Sequence, residues 1–359
     1  MSPFVLTALR LKQFRSYTEY AIELSPGVNI VVGPNASGKT NLLESILLIT
    51  GSPSFRAQYT HTIEQGKDWA RVDGESAGKK RTIKIEQQQN LTKRTYELDG
   101  LKKHRLNYND TVPVVVFEPE HMRLLTGSPE LRRTFFDTIL AELYPTYAKD
   151  LSAYKRTLAQ RNRLLKLRPV SLEQQLFVWN VKLTQLAGLI VGKRLELIKD
   201  INTQLADIYS EIAQKQTDCT LEYVSPLQLT NYETSMLKKL ELDVEKDMAR
   251  GFTGAGPHRE DFAVHIRGQQ AEITASRGET RTLVLALKLL ELQFLEKVRG
   301  AKPLLLLDDV FSELDGARRK SLTKYVENYQ TILTTTDADV VVKDFTKQAN
   351  IIALNFPQN

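Results

Sequence analysis

Residues 33–40, GPNASGKT, constrain the fold of this chain more than any other feature. The apolar run NIVV precedes them and the helix-like run KTNLLESILLIT begins at Lys39, which is the context of a phosphate-binding loop. Such a loop turns backbone N–H groups toward phosphate oxygens, and the following helix adds partial positive charge at its N-terminus. A strand–helix turn that binds nothing is the alternative, and it is disfavoured because every fixed position of the pattern is filled. We therefore predict a nucleotide site at Gly33, Pro34, Asn35, Ala36, Ser37, Gly38, Lys39 and Thr40.

The run LLLLDD at residues 304–309 supplies the acids that such a loop needs. An apolar strand would carry Asp308 to its C-terminal end, where its carboxylate could hold Mg²⁺ together with the Thr40 hydroxyl. Asp309 follows where a general base, or a group that orients the attacking water, is expected. Lys39 would reach the outer phosphates. Two acids that merely cap a strand at the surface are the alternative, which the phosphate loop makes less favoured.

A small polar group, Ser276-Arg277-Gly278-Glu279, opens a second long helical pattern, TRTLVLALKLLEL. The Ser-x-x-Glu spacing predicts a capping box, with Ser276 capping the helix and Glu279 accepting backbone hydrogen bonds. Gly278 permits close approach to the backbone, so the same helix start can also recognise a phosphate. The two interpretations are compatible. Beyond the acids, FSELDGARR contains Asp315 and by itself indicates only a helix start with nearby acids.

Composition limits the class of protein and its partners. The formal charge of +6 and pI near 9.1 favour a polyanionic partner, although scattered lysines give the same sum. The one cysteine, Cys219, excludes an internal disulfide and a thiolate metal cluster. Because the N-terminus does not resemble a signal peptide and no apolar run reaches membrane-spanning length, we expect a cytoplasmic protein without a membrane partner. Basic residues cluster at 78–81, 102–105, 155–168 and 318–320.

The chain changes character twice. Residues 1–120 have strand-like alternation around the phosphate loop and are assigned to the N-terminal half of an ATPase lobe. Residues 121–252 have long helical patterns and are assigned to an inserted arm, with one long helix carrying an apolar seam from Leu176 to Ile212. A paired-helix arm and a helix packed lengthwise on a globular core both fit this seam. Residues 253–359 return to mixed patterns, so the predicted fold is α/β, a P-loop ATPase head with mixed sheets and an inserted helical lobe.

The order of these motifs resembles the ABC-type ATPase heads of the SMC kind, which include the RecF family of bacterial recombination mediators. Several runs look specifically like RecF and together cover nearly the whole chain. They are LKQFRSY, GPNASGKTNLLESI, PEHMRLLTGSPELRRTFFD, YKRTLAQRNRLLK, GPHRED, SRGETR and LLLLDDVFSELD.

The resemblance implies roles for individual residues. Residues 33–40 would bind ATP, with Mg²⁺ held by Thr40 and Asp308. Ser276, Gly278 and Glu279 would contact ATP held by the loop of a second copy, so that ATP joins a homodimer. Asp309 stands where most relatives outside RecF carry Glu, which is consistent with slow hydrolysis in a switch. Asp315 would face the neighbouring head, and Arg15 would reach the nucleotide.

Other positions match the family without a clear assignment. Asp337 stands where transporter-type heads usually have a switch histidine, which puts a γ-phosphate sensor at that position in doubt. Glu118 and Glu120 lie where a Mg²⁺-linked glutamine is usual, but no glutamine is found there. His258 and Arg259 match the family motif, and packing is at least as good an explanation for them as chemistry.

The resemblance implies a weak, DNA-stimulated ATPase whose ATP-bound dimer clamps gapped DNA or single-strand/double-strand junctions. It would help to load recombinase there with partners similar to RecO and RecR, in DNA replication and repair. A transporter motor, a chromosome scaffold and a P-loop kinase of small metabolites are the alternatives. The helical region is too long for the first and too short for the second, and a kinase needs no motif like SRGE.

Overall fold

The computed structural model describes residues 4–52, 59–88, 91–337, 343, 345 and 349–354. Its contacts divide the chain into two compact units. The first unit is Met1–Met122 with Glu291–Asn359, and the second is Arg123–Leu290. The first unit is therefore assembled from both ends of the chain.

The first unit contains an antiparallel sheet in which apolar residues alternate with polar ones. Leu9 and Leu11 are buried beside Val72, Ile83 and Ile85, while their neighbours along each strand face solvent. Residues 81–98 alternate in the same way and form an antiparallel hairpin, and the Asp99-Gly100 turn continues it, with both residues at positive φ. The strand order is β2-β1-β4-β5-β6-β7, with β1 (Ala8–Phe14), β2 (Tyr17–Glu23), β4 (Trp69–Ser76), β5 (Lys79–Gln88), β6 (Leu91–Leu98) and β7 (Leu101–Lys103).

The second sheet of this unit is parallel, and four of its strands are largely buried apolar runs, as expected for a sheet covered on both faces, while the edge strand at Asn350–Ala353 is half exposed. The strand order is β14-β3-β13-β12-β8, with β3 (Val28–Val32), β8 (Val114–Phe117), β12 (Leu304–Asp308), β13 (Thr331–Thr335) and β14 (Asn350–Ala353). Helix α1 (Lys39–Thr50) contributes Leu42 and Ile46 to a core that contains residues of both sheets. Parallel pairing brings the carboxyl ends of β3, β12 and β13 to one edge, where the phosphate loop begins.

The second unit is mainly helical, with a small antiparallel sheet. Its helices are α2 (Pro129–Leu143), α3 (Pro145–Leu167), α4 (Leu172–Asn202), α5 (Leu205–Ala213), α6 (Tyr232–Leu242), α7 (Val244–Arg250), α8 (Ala271–Thr274) and the first part of α9 (Arg277–Arg299). Its strands are β9 (Cys219–Val224), β10 (Asp261–Ile266) and β11 (Gln269–Gln270). Helix α10 (Gly316–Val326) returns to the first unit.

The helical seam is buried as expected, but the prediction of one long helix through Ile212 is wrong. Helix α4 ends at Asn202, and α5 begins at Leu205. The Asn202 side chain instead holds the edge of β9, where it accepts from Leu221 N at 2.7 Å and donates to Leu221 O at 2.8 Å. These hydrogen bonds satisfy backbone groups that an edge strand would otherwise leave exposed. Helix α4 packs against both α3 and α6.

Residues 253–290 group with the helical unit, whereas the division made from sequence had placed them with the C-terminal half of the ATPase lobe. The reason is strand pairing, since β10 pairs with β9 along its whole length and α2 packs on β10. In the part of the chain that the structure describes, no helix is both long and apolar enough to cross a membrane.

Candidate functional site

The loop between β3 and α1 is tightly closed, and two of its glycines are required by geometry. A Cβ on Gly33 would lie 2.5 Å from Ser37 Oγ and 2.8 Å from Leu354 O. Gly38 has φ of 95°, a left-handed conformation, and a Cβ there would meet the Tyr17 hydroxyl at 2.8 Å. Only glycine fits both positions without displacing a neighbour.

Lys39 lies folded over this loop. Its Nζ donates to Gly33 O at 2.6 Å and to Pro34 O at 2.8 Å, and the side chain is buried. Burial lowers the pKa of Lys39, although the carboxylates of Asp309 and Asp308 oppose that effect. Phosphate oxygens placed in the loop would therefore compete with two carbonyls for the same ammonium group.

The strand register places Asp308 and Asp309 beside the phosphate loop. Asp308 is the last residue of β12 and pairs with Thr334, the last but one of β13. The Thr334 hydroxyl donates to Asp308 Oδ1 at 2.7 Å, and the Thr40 hydroxyl donates to Asp308 Oδ2 at 2.8 Å. The contact of Thr40 with Asp308 joins two motifs that are 268 positions apart in the chain.

Thr334 is a site residue that the motifs do not predict. Its hydroxyl also accepts from the backbone N–H of Asp309 at 2.9 Å, so it orients both acids. Asp309 has φ of 51° and begins a short 3₁₀ helix, Val310–Glu313. The signal that could have identified Thr334 was its position after an apolar run parallel to LLLLDD.

The residues present fit a nucleotide with Mg²⁺. A hydroxyl and a carboxylate are hard oxygen ligands of the kind that Mg²⁺ prefers. Among the described residues no group of three or more His, Cys, Asp or Glu side chains could hold a metal ion, so Thr40 and Asp308 would need phosphate and water to complete a magnesium site. Ser37 Oγ is buried without a hydrogen-bond partner among the described residues, which leaves a polar atom available to a phosphate.

The turn between β1 and β2 packs on the phosphate loop and includes Arg15. The Arg15 guanidinium forms two hydrogen bonds, of 2.8 and 2.9 Å, with the buried carboxylate of Glu44 on α1. Nearby, the Tyr17 hydroxyl donates to Gly38 O at 3.1 Å. The bond between Arg15 and Glu44 was not foreseen, and the contact of Arg15 with nucleotide stays a prediction.

The helix start at Ser276 lies in the second unit. The capping box is confirmed, since Ser276 N donates to Glu279 Oε2 at 2.9 Å and Glu279 N donates to Ser276 Oγ at 3.3 Å. Arg267 also donates to Glu279 at 2.7 Å, and its hydrogen bond together with that of Ser276 lowers the pKa of Glu279 to about 2. Ser276 is exposed and Gly278 is half-buried, so the helix start is accessible on this unit.

Four further positions named in the sequence analysis have defined surroundings. Asp315 is exposed and caps α10 by accepting from Arg318 N at 3.0 Å, and that bond lowers its pKa. Asp337 is exposed, and its backbone N–H donates to Thr335 Oγ1 at 3.1 Å. Glu118 precedes a 3₁₀ helix, Pro119–Arg123, which contains Glu120. The role of Asp315 toward a second copy stays a prediction.

The GPHRED run is partly buried in the second unit: Glu260 is buried, His258 is half-buried and Arg259 is exposed. His258 Nδ1 is 2.7 Å from the Tyr154 hydroxyl, and Nε2 is 3.1 Å from Thr253 O. Glu260 is 2% exposed and accepts from the hydroxyls of Tyr223, Ser225 and Tyr232. These contacts assign His258 and Glu260 to packing. The Arg259 guanidinium lies 4.6 Å from the centre of the Phe252 ring.

Arg194 links this run to the helices. It is 1% exposed and donates to Asp137 through two bonds of 3.0 Å, to Tyr223 at 3.0 Å and to Pro257 O at 2.8 Å. Substitution of Arg194→Met is expected to lower the free energy of unfolding by about 3–5 kcal/mol, because it leaves the Asp137 carboxylate without its cation. Urea unfolding curves measure the loss.

The neighbouring Lys193→Met substitution is the control for Arg194. Lys193 forms an ion pair with Glu196 at the surface. Its substitution should lower the free energy of unfolding by at most about 1 kcal/mol. Equal losses in the two variants would contradict the importance of the buried pair.

Burial and the charges of Arg259, Arg133 and Arg161 lower the pKa of His258 to about 4. Between about pH 6.5 and pH 4 the unfolded chain therefore takes up a proton that the folded protein does not. The stability that the neutral imidazole contributes is complete above pH 6.5. It falls by up to about 3 kcal/mol as the pH drops to 4.

His258→Asn should flatten the pH dependence of the urea midpoint over this range. His104→Asn, at an exposed histidine, should leave it unchanged. Parallel pH profiles for the parent and His258→Asn would contradict the assignment.

A parallel sheet with a phosphate loop and acids at one edge, an antiparallel sheet beside it, and a helical unit inserted in the sequence define an ABC-type P-loop ATPase head. The family model described as the RecF/RecN/SMC N terminal domain matches residues 5–354. The chain belongs to this family and, within it, to the RecF proteins.

Two curated relatives support the assignment. The DNA replication and repair protein RecF of Streptococcus gordonii is 37% identical over 92% of this chain and 93% of the relative. That of Staphylococcus epidermidis is 32% identical over 98% of each chain.

Solved structures agree with the fold. The recombination mediator protein RecF-ATPrS in the RecFOR pathway has a TM-score of 0.84 and 28% identity over 98% of this chain and 96% of that one. An SMC head bound to the C-winged helix domain of ScpA has a TM-score of 0.54 and 17% identity, and covers 98% of this chain and 95% of that one. This second likeness concerns the fold alone.

Proposed function

We propose that this protein is an ATP-dependent, DNA-binding recombination mediator. Its ATP-bound dimer would clamp gapped duplex DNA or single-strand/double-strand junctions, and slow hydrolysis would release them. One observation carries the proposal: a single chain contains a complete phosphate loop with its acids and, in its other unit, an exposed helix start with the sequence SRGE. A simple nucleotide-binding enzyme has no need of the second feature.

At the first feature, the chain would bind the phosphates and hold a metal ion. The N–H groups of residues 33–40 would surround the phosphates, and Lys39 would exchange its carbonyl partners for phosphate oxygens. Mg²⁺, when held by Thr40 and Asp308, would neutralise developing negative charge. Thr334 already holds the Asp308 carboxylate in place.

Hydrolysis would depend on Asp309. The backbone N–H of Asp309 donates to the Thr334 hydroxyl, which fixes the position from which the Asp309 side chain extends. We propose that Asp309 orients or deprotonates the attacking water. An aspartate is one methylene shorter than the glutamate of most relatives outside RecF, which is consistent with a slow switch.

The second feature supports an ATP-dependent homodimer. The α9 N-terminus offers backbone N–H groups and partial positive charge to an anion. We propose that Ser276, Gly278 and Glu279 contact the γ-phosphate held by the partner copy, with Asp315 facing that copy. ATP then joins the two heads, and its hydrolysis separates them.

The comparisons with relatives support the proposed partners. Those relatives are named for DNA replication and repair, and the solved RecF structures are of the RecFOR pathway. We propose that this chain likewise acts on DNA in the cytoplasm, with partners similar to RecO and RecR that help to load recombinase. Binding through phosphates would be strongly dependent on salt and indifferent to base sequence.

Sedimentation velocity tests the proposal. The protein should sediment as a monomer without nucleotide, as a dimer with ATP and Mg²⁺, and as a dimer on DNA when gapped duplex is added. Uninterrupted duplex of the same length is the control that shows whether the dimer prefers gapped DNA. A protein that stays monomeric with ATP, or that dimerises without retaining any DNA, would contradict the proposal.

A further inference from the structure

Helix α3 carries a row of basic side chains that the ATPase site does not use. Lys149, Lys155, Arg156, Arg163 and Lys166 are all exposed. With 3.6 residues per turn, they fall within about 120° of the helix circumference, and they extend about 26 Å along its axis. We call these five residues the α3 basic stripe.

Few acids accompany the stripe on its own helix: Asp150 follows Lys149, about a third of a turn away from the stripe. No Asp or Glu occurs between residues 151 and 172. Arg161, the other arginine of this helix, points the opposite way and forms a buried ion pair with Asp247 at 2.7 Å. Among the described residues, none of the five forms an ion pair with a carboxylate, and Arg156 donates only to Ser152 on the same helix.

We propose that the α3 basic stripe binds the phosphate backbone of duplex DNA. This inference rests on the proposed function and identifies which part of the chain takes the duplex arm of a junction. Double-stranded DNA carries one charge per about 1.7 Å of its axis, so a 26 Å row of cations meets a continuous line of phosphates. Arginine and lysine are the residues that usually make such contacts.

The chemistry of the stripe favours duplex DNA over two other kinds of partner, single-stranded nucleic acid and protein. Single strands are normally held by stacking on aromatic side chains, but the tyrosines of α3, Tyr147 and Tyr154, are each 1% exposed. Protein interfaces concentrate aromatic residues and are depleted of lysine. Between Lys149 and Lys166 the exposed residues on this face are small or polar, Ser152, Ala159 and Gln160, while Leu167 at the end of the helix is an exposed apolar side chain on the same face. A phosphate backbone needs neither stacking nor an apolar anchor.

The test is a variant with glutamine at four of these positions, Lys155→Gln, Arg156→Gln, Arg163→Gln and Lys166→Gln. Its affinity for a blunt 30-base-pair duplex is measured with ATP and Mg²⁺ over a range of salt. Loss of four phosphate contacts should weaken binding by on the order of 10³-fold at about 0.1 M salt. The slope of log affinity against log salt should become less steep by about 3–4.

A control variant carries the same change of charge elsewhere in the second unit, Lys193→Gln, Lys199→Gln, Lys239→Gln and Lys246→Gln. It should bind duplex within about threefold of the parent. Urea unfolding and ATP-dependent sedimentation are measured for both variants. Because the stripe side chains are exposed, their loss should change neither the free energy of unfolding nor the ATP-dependent dimer.

The possible outcomes separate this inference from the proposed function. If the parent binds duplex and the stripe variant binds it equally well, the inference is wrong and the proposed function stands; a stripe that serves an acidic protein partner gives this result. An equal loss for single strands and duplex overturns the assignment to duplex. A parent that retains no DNA with ATP contradicts both.

Discussion

Lys39→Ala is expected to reduce ATP hydrolysis by on the order of 10²- to 10³-fold, which is the usual effect of removing one donor from a site of developing negative charge. The ammonium group lies within 2.8 Å of two loop carbonyls, so it is already positioned over the space that phosphates would occupy. ATP affinity should fall as well, and the ATP-dependent dimer and DNA retention should be lost with it. Phosphate release, titration calorimetry and sedimentation measure the three effects.

The Lys39 substitution needs a control for charge and one for folding. Lys67→Ala removes an exposed lysine of the same unit and should leave hydrolysis unchanged. Thermal unfolding without nucleotide shows whether the loop survives loss of its two internal hydrogen bonds. Hydrolysis by Lys39→Ala within twofold of the parent would exclude residues 33–40 as the hydrolytic site.

Ser276→Asp is expected to weaken the ATP-dependent dimer by at least about 10²-fold. Aspartate caps helices as well as serine does, so α9 should keep its N-cap and the free energy of unfolding should change little. It nevertheless places a carboxylate where the proposal puts a γ-phosphate, and facing like charges cost several kcal/mol. A two-fold symmetric dimer would contain this repulsion twice.

Ser276→Asn is the matched control, because asparagine caps equally well without charge. It should dimerise far better than Ser276→Asp. The monomer of each variant should bind ATP normally, since residues 33–40 are untouched. A dimer of Ser276→Asp as tight as that of the parent would remove the composite site from the proposal.

Mixing the two defective variants tests action in trans directly. A mixed dimer would combine the intact loop of Ser276→Asp with the intact Ser276 of Lys39→Ala, which completes one of the two sites. The mixture should therefore hydrolyse more ATP than either variant alone. If Ser276 acted on the nucleotide of its own chain, mixing would restore nothing.

Much of the site could be predicted because its motifs are contiguous. A phosphate loop requires glycine at two positions for steric reasons, so GPNASGKT could be recognised without a structure, and the Ser276 capping box has a fixed local spacing. The apolar runs of the parallel sheet could also be recognised in the sequence. The end of α4 at Asn202 could not be predicted, because the apolar seam continues past it, and what marks the end is a hydrogen bond from the Asn202 side chain to β9.

The sequence by itself determined which residue types stand next to each other at the loop, the acids and the helix start. Tertiary structure alone decided that Thr334 contacts both Asp308 and the backbone of Asp309, that Glu44 binds Arg15, that Glu260 is buried among hydroxyls and that His258 lies against Tyr154. These contacts join residues far apart in the chain, with strand register placing Thr334 opposite Asp308 and packing fixing the rest. Hydrogen bonds of this kind depend on which side chains the fold brings within about 3 Å, and no local pattern encodes that distance.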